Sequence, residues 1–98
     1  MDKAVGMAGD QVSVAEVFLA SLVDRGIEYV FANAGTDFAP IIEALVAASQ
    51  NGTKVPNFIT VPHENVAIAM AQGYYRIACK PAAVMVHVSV GTANTICG

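Results

Sequence analysis

Short apolar runs alternate with helical patterns along most of the chain. Three runs, over residues 27–32, 56–61 and 82–90, are rich in β-branched or aromatic residues, which favour strands. Because a helix signal follows each run, the order predicts an α/β fold in three layers, with a parallel central sheet and helices on both faces. The run over residues 82–90 is almost continuously apolar, which predicts a central strand covered on both faces.

The first helix has clear start and stop signals. Ser13 and Glu16 have the spacing of a capping box, and Gly26 suits the left-handed conformation that ends many helices. Residues 1–11 show no periodicity, so we expect a disordered N-terminus followed by one domain over residues 12–98.

A turn over residues 33–37 precedes the second helix, which is predicted over residues 38–49 and is followed by a polar loop over residues 50–54. Thr36 or Asp37 suits the N-cap position of that helix. The turn holds one glycine, whereas a dinucleotide-binding motif needs three, and it lacks the Gly-Lys-Ser/Thr of a P-loop. A nucleotide pyrophosphate is therefore not the expected ligand.

The third helix begins with a carboxylate. Glu64 directly follows the second strand and His63, and the residues after it have a helical period. Asn65, Gln72 and Arg76 form a narrow polar stripe, so most of the helix surface is predicted to be buried. Glu64 lies about a quarter-turn from this stripe, at the border of the apolar face. The helix dipole alone explains an acidic residue in a first turn, and a functional role is the alternative.

Three polar segments are predicted to meet at one edge of the sheet. Residues 33–36, 63–64 and 87–94 lie at or after the ends of the three strands. The carboxyl ends of parallel strands share one edge, where α/β proteins bind their ligands. In the last segment His87 interrupts an apolar run. A buried histidine bonded to a backbone carbonyl is one explanation, and an active-site histidine is the other.

Composition excludes several classes of partner and site. A net charge of -3 leaves no basic surface for nucleic acid or an anionic membrane. No apolar stretch reaches the roughly 18 residues of a membrane span and no signal peptide is recognisable, so a cytoplasmic protein is expected. Cys79 and Cys97 lack metal-ligand spacing and are predicted to be free, buried thiols. With 55% hydrophobic and 13% charged residues, part of the surface is expected to contact another chain or domain.

Three motifs in this order resemble the N-terminal pyrimidine-binding (PYR) domain of thiamine diphosphate (thiamine pyrophosphate) enzymes, in the group of acetolactate synthase, pyruvate oxidase and benzoylformate decarboxylase. Val30-Phe-Ala-Asn-Ala-Gly-Thr36 is similar to the Val-Phe-Gly-x-Pro-Gly turn of that family, with alanines replacing the usual Gly and Pro. His63-Glu-x-x-Ala-x-x-Met-Ala-x-Gly-Tyr74 is the most specific element, and Val90-Gly-Thr-Ala-Asn94 resembles a later Gly-x-x-Asn segment. The resemblance extends from about Ser13 to Gly98.

The resemblance implies roles for the residues at the predicted edge. In the family, the glutamate that matches Glu64 bonds a ring nitrogen of the cofactor's aminopyrimidine and promotes removal of the thiazolium C2 proton. Burial is expected to raise the pKa of this carboxyl group. His87 matches a histidine that handles substrate protons, and Thr36 matches a residue that orients a substrate carboxylate. The cofactor contacts implied by the motifs are those of Asn33, Ala34, Gly35, Glu64, Thr92 and Asn94, and none of these residues is expected to bind a metal.

The resemblance also implies partners that this chain lacks. Family members hold Mg2+ and the cofactor's diphosphate on a second domain, with a Gly-Asp-Gly…Asn motif that is absent here. The active site forms between subunits, so a homo-oligomer acting on a small 2-oxo acid is expected, either a decarboxylase or an acetolactate synthase-like enzyme. The chain alone is expected to be inactive. A non-catalytic α/β interaction module is the alternative, because the catalytic half is missing and the apolar content is high.

Overall fold

The computed structural model describes residues 13–33 and 38–97 of the 98-residue chain. Within these ranges helices and strands alternate, as the sequence predicts. In chain order they are α1 (Val14–Asp24), β1 (Tyr29–Ala32), α2 (Ala39–Asn51), β2 (Asn57–Thr60), α3 (Glu64–Ala78), β3 (Ala83–Met85) and α4 (Val88–Cys97).

The described strands form one parallel sheet in the order β2-β1-β3. In the register of the sheet, Ala32 pairs with Thr60 on one side and with Met85 on the other. The carboxyl ends of all three strands therefore lie at one edge of the sheet. This arrangement confirms the α/β class and the parallel sheet, and it brings together the loops that follow the strands.

Helices cover both faces of the sheet. On one face Phe31 and Val61 pack against Ala67 of α3, and Tyr74 packs edge-on against Tyr29 with 5.3 Å between ring centroids. Successive side chains of a strand point to opposite faces, so Ala32 faces the other way. On that second face a cavity of about 190 Å³ lies between α2 and the sheet, lined by residues that include Ala32, Ile41, Leu45, Phe58 and Met85.

The remaining helices pack on these two layers. α1 contacts α2, and the buried residues of the pair are Leu19, Ala20, Ala44 and Ala48. α4 contacts α3 on the first face. The predicted three-layer arrangement is therefore confirmed.

Helix ends follow the predicted signals at α1 and differ at α2. The capping box is confirmed: the Ser13 hydroxyl accepts the Glu16 N–H, and the Glu16 carboxylate accepts the Ser13 N–H. Gly26 has a φ of 80°. α2 begins one residue later than predicted, with Phe38 at the N-cap position and no side-chain capping bond. Thr36 and Asp37 lie outside the described residues.

The end of α2 also differs from the prediction. The helix continues through residues 50 and 51, which were expected in the polar loop, and Gly52 ends it with a φ of 70°. Polar residues are tolerated in a last exposed turn, and the left-handed glycine therefore marks the true end.

The third strand is shorter than predicted and is not central. β3 covers only Ala83–Met85, and residues 88–90 form the first turn of α4. The extended run ends because Val88 takes a φ of 53°, a conformation that β-branched residues rarely adopt and that no sequence pattern marks here. In the described sheet β3 is an edge strand beside the central β1.

Two predictions of burial are wrong. Only Ala67 of α3 is buried and Ile77 is 89% exposed, because one side of the helix packs on the sheet and, among the described residues, α4 covers only part of the rest. Cys79 and Cys97 are free, as predicted, but both are exposed. Cys79 is the C-cap of α3 with a φ of 59°, and Cys97 is the last residue of α4, so neither lies under a second layer.

Candidate functional site

The Glu64 carboxylate lies where the N-terminus of α3 meets the first turns of α4. Asn94 Nδ2 donates a hydrogen bond of 3.0 Å to Glu64 Oε1. The Glu64 side chain is 14% exposed, so most of it is shielded from water while part stays accessible. The structure thus brings together two predicted site residues that are 30 positions apart in sequence.

Gly91 is the buried residue that lets α4 approach this carboxylate. A Cβ atom at this position would lie 3.3 Å from Glu64 Oε2 and 3.2 Å from the Cβ of Val86. Both separations are shorter than ordinary van der Waals contacts. Gly91 and Asn94 lie three residues apart on one helix, so they present to the same face. The predicted site omitted Gly91, although its spacing to Asn94 in the Gly-x-x-Asn segment was the available signal.

His63 is the N-cap of α3 and was expected only to end the strand. Its Nδ1 accepts the backbone N–H of Asn65 at 3.1 Å, which requires Nδ1 to carry no proton. The same atom lies 3.9 Å from Glu64 Oε1. A capping side chain and the carboxylate therefore share the first turn of α3.

Hydrogen bonds favour the charged form of Glu64. The amide of Asn94 has the largest effect on the pKa of Glu64 and lowers it, and the backbone N–H of Glu64 itself lowers it further. Desolvation acts in the opposite direction but is smaller. Burial therefore raises this pKa, as expected, but the two hydrogen bonds outweigh it, so the pKa of Glu64 is lowered overall.

Asn33 connects the carboxyl ends of the three strands. Its backbone N–H donates to the carbonyl of Met85 at 2.8 Å, and its Nδ2 donates to the carbonyl of Val61 at 3.1 Å. The backbone N–H and one of the two Nδ2 hydrogens are therefore used within the fold, which leaves Asn33 a second Nδ2 hydrogen and its Oδ1 acceptor. Ala34, Gly35 and Thr36, the other residues predicted in this turn, lie outside the described residues.

His87 lies between β3 and α4 at the same edge of the sheet. Its ring packs edge-on against Phe38, with 6.0 Å between the ring centroids and an interplanar angle of 84°. Its carbonyl accepts the N–H of Gly91 at 3.2 Å, so the backbone of His87 supports the turn that carries Gly91. The packing of Phe38 on His87 joins the start of α2 to this edge.

Thr92, another predicted site residue, forms its side-chain hydrogen bond within α4. Its hydroxyl donates to the carbonyl of Val88 at 3.1 Å, one turn earlier in α4. This bond uses the hydroxyl proton inside the helix and leaves the hydroxyl oxygen as an acceptor.

Comparison with known proteins agrees with this arrangement. The profile of the family described as "Thiamine pyrophosphate enzyme, N-terminal TPP binding domain" matches residues 12–98. The chain belongs to this family. The resemblance drawn from the three motifs is therefore confirmed, and the Glu64 carboxylate, Gly91 and Asn94 lie within the matched thiamine pyrophosphate enzyme domain.

Several curated relatives are acetolactate synthase large subunits. The chain is 38% identical over 80 residues to the putative acetolactate synthase large subunit IlvX of Mycobacterium tuberculosis, an alignment covering 82% of this chain and 15% of that protein. It is 36% identical over 88 residues to the acetolactate synthase large subunit of Haemophilus influenzae, covering 90% of this chain and 14% of that protein. The chain thus spans about one seventh of the length of these relatives.

Two other features are absent from residues 13–33 and 38–97. No helix in these ranges has the length and apolar character needed to cross a membrane. The same ranges hold no group of three or more histidine, cysteine, aspartate or glutamate side chains arranged to bind a metal ion.

Proposed function

We propose that this chain is the pyrimidine-binding portion of a thiamine diphosphate-dependent enzyme that acts on 2-oxo acids. Membership of the thiamine pyrophosphate enzyme family supports the cofactor, and the names of the relatives support an acetolactate synthase-like reaction. A decarboxylase is the related alternative, because His87 and Thr36 match positions that contact substrate in benzoylformate decarboxylase. In either case Glu64 activates the cofactor.

The observation that best supports this proposal is the Glu64 carboxylate, which Asn94 fixes through a hydrogen bond. A carboxyl group that exchanges a proton with a ring nitrogen must be partly shielded from water, fixed in orientation and still accessible, and Glu64 has all three properties. The absence of a side chain at buried Gly91 lets α4 approach this carboxylate closely. The residues present therefore fit an aminopyrimidine, which Glu64 would bind together with Asn33, Ala34, Gly35 and Thr92, while Asn94 bonds Glu64 itself.

Each residue then has a defined task. When bound, the cofactor supplies an electron sink for cleavage or formation of a bond next to a carbonyl group. Glu64 holds and exchanges a proton at its carboxylate, His87 exchanges protons with the substrate, and Thr36 orients the substrate carboxylate. Mg2+ and the diphosphate would be held by a separate domain, of the same enzyme or of a second subunit in a cytoplasmic homo-oligomer, so the chain alone would be inactive.

The proposal is tested by the substitution Glu64→Gln. The variant is made in the full-length enzyme, which includes the diphosphate-binding domain, and is loaded with thiamine diphosphate. Glutamine keeps the size and a hydrogen bond but cannot exchange the proton, so the rate of hydrogen exchange at cofactor C2 should fall by about 100- to 10,000-fold. Glu43→Gln, at an exposed position on α2, is the matched control and should leave the rate unchanged. Near wild-type exchange in Glu64→Gln would remove Glu64 from the mechanism.

A non-catalytic interaction module is the second candidate, favoured by the exposed apolar surface of α3. Val66 and Met70 are 49% and 38% exposed, and Ile77 on the same side of the helix is 89% exposed. Titrating the chain with a diphosphate-binding domain while measuring decarboxylase or carboligase activity separates the two candidates. Reconstituted activity supports the enzyme, whereas binding without activity supports the module.

A further inference from the structure

We infer that Asn94 is a positioning residue, which fixes the orientation of the Glu64 carboxylate without itself having to contact the cofactor. The inference rests on the proposed function of Glu64, and it assigns Asn94 a different role from the cofactor contact predicted from the motif. It is supported by the contacts that α4 makes with the Glu64 carboxylate.

Both oxygens of the carboxylate are restrained from α4. Oε1 accepts the bond of 3.0 Å from Asn94 Nδ2, and Oε2 lies against Gly91, 3.3 Å from the position that a Cβ atom would occupy there. A carboxylate with one donor on a single oxygen can still rotate about its terminal bond. Contact with a second point on the same helix restricts that rotation, so α4 sets the plane of the carboxylate relative to α3.

An asparagine suits a partner of a carboxyl group that changes its protonation state. A carboxylate only accepts hydrogen bonds, and the NH2 group of Asn94 donates one. When the carboxyl group is protonated it can donate, and an amide that turns over presents its oxygen as the acceptor. Leucine has the size of asparagine but serves neither state, and an ionised aspartate would repel the carboxylate.

The charge state of Glu64 agrees with this role. Among the interactions that act on the carboxyl group, the bond from Asn94 has the largest effect on the pKa of Glu64, which it lowers. His63 Nδ1 lies 3.9 Å from the same oxygen, but a charge on His63 has the smallest effect on this pKa and requires a protonated ring that no longer accepts the Asn65 N–H. Removing the amide should therefore change the titration of Glu64 more than any other single change around it.

The first test titrates Glu64 in the 98-residue chain. Glutamate labelled with 13C at its carboxyl carbon is incorporated, and the Glu64 resonance is assigned by its loss in Glu64→Gln. In Asn94→Leu the pKa of Glu64 should rise towards the ordinary glutamate value. Thr95→Val is the matched control: it removes a side-chain donor from the next position of α4, where the hydroxyl bonds only the Thr92 carbonyl among the described contacts.

A second variant keeps the test decisive if Asn94→Leu does not fold. Asn94→Asp has nearly the same shape and places a second carboxylate at the position of the amide, so the pKa of Glu64 should also rise, through like-charge repulsion. Thr95→Val should leave it unchanged. An unchanged pKa of Glu64 in either folded Asn94 variant would overturn the inference.

The second test separates positioning from direct cofactor contact in the full-length enzyme. Asn94→Leu should slow hydrogen exchange at cofactor C2 by up to about 100-fold, the loss that a displacement of about 1 Å causes, with little change in the dissociation constant for thiamine diphosphate. A weakened affinity with an unchanged exchange rate would overturn the inference and make Asn94 a direct cofactor contact. Failure of Glu64→Gln to slow exchange would instead overturn the proposed function, so the two failures are distinguishable.

Discussion

At the scale of single residues, the site depends on a glycine and an asparagine that hold one carboxylate. Glu64 was predictable as an acidic residue in a first helical turn, and the order of the three motifs indicated the family of the domain that contains it. The direction of its pKa was not predictable, because the decisive donor, Asn94, lies 30 residues away and reaches Glu64 only once α4 packs on α3. The local sequence shows which ionisable side chains are present, but it does not show which distant residues form hydrogen bonds with them.

Gly91→Ala tests how tightly α4 packs on this carboxylate. A methyl group would lie 3.2 Å from the Cβ of Val86, which is the rigid base of a β-branched side chain and cannot swing aside. Overpacking should cost about 2 kcal/mol and the higher helix propensity of alanine should offset about 1 kcal/mol of it, so the free energy of unfolding should fall by about 1 kcal/mol. Urea denaturation measures this change, and the titration of Glu64 should shift as well because Oε2 must move.

Gly73→Ala is the matched control for that substitution. Gly73 lies inside α3, and no neighbouring group lies within 4 Å of the position that a Cβ atom would occupy there, so alanine fits without a clash. Its higher helix propensity should raise the free energy of unfolding by about 1 kcal/mol. If both glycine substitutions stabilised the chain equally, the tight approach at Gly91 would be wrong.

At the scale of elements, capping signals were predictable and the buried faces of the helices were less so. The capping box of α1 formed as its sequence indicates. The apolar pattern of the same helix includes Val14, Val17 and Phe18, yet Val14 and Phe18 are 86% and 47% exposed, and the buried residues are Leu19 and Ala20. A helix with apolar residues on several sides leaves its orientation to tertiary packing, which the pattern alone does not determine.

The N-terminus of α3 offers an element-scale prediction. His63 caps this helix by accepting the N–H of Asn65, so His63→Ala should lower the free energy of unfolding by about 1 kcal/mol, whereas His63→Asn, with a preferred capping residue, should retain the stability. Chemical denaturation of the two variants measures the difference. Equal stability of the alanine and asparagine variants would show that the observed cap contributes nothing.

The C-terminal end of α3 predicts a dependence on pH. Lys80 Nζ donates to Glu28 Oε2 at 2.8 Å, and this bond lowers the pKa of Glu28 below its ordinary value of 4.5. Because the unfolded chain then takes up a proton more readily, the stability that this bond contributes is complete above about pH 4.5 and is lost as the pH falls through the pKa of folded Glu28. Lys80→Gln should make the decline in melting temperature with acid shallower, whereas Arg76→Gln, at an exposed position of α3, should not. Both groups are exposed, so the effect should also weaken with added salt.

At the scale of the whole molecule, the parallel sheet was predictable, but the length of its third strand was not. The alternation of helices and strands was enough to indicate the class and the shared edge that carries the site. The length of β3 was not, because an apolar run has the same appearance in a strand and in the first turn of a helix. In the described sheet β3 lies at an edge and is only partly buried, and β1 is the central strand.

The exposed apolar residues of α3 predict that the chain self-associates. Val66, Met70 and Ile77 lie on one side of the helix and are all exposed, an arrangement that is costly in water unless another surface covers it. Sedimentation velocity over micromolar concentrations should show association that increases with concentration. Ile77→Glu should reduce it, because a charge at the most exposed of these positions opposes burial. Ser49→Glu, an exposed position on α2, adds the same charge away from this surface and should leave association unchanged. A chain that sediments as one monomer at every concentration would contradict the prediction and would show that this apolar surface is tolerated in water.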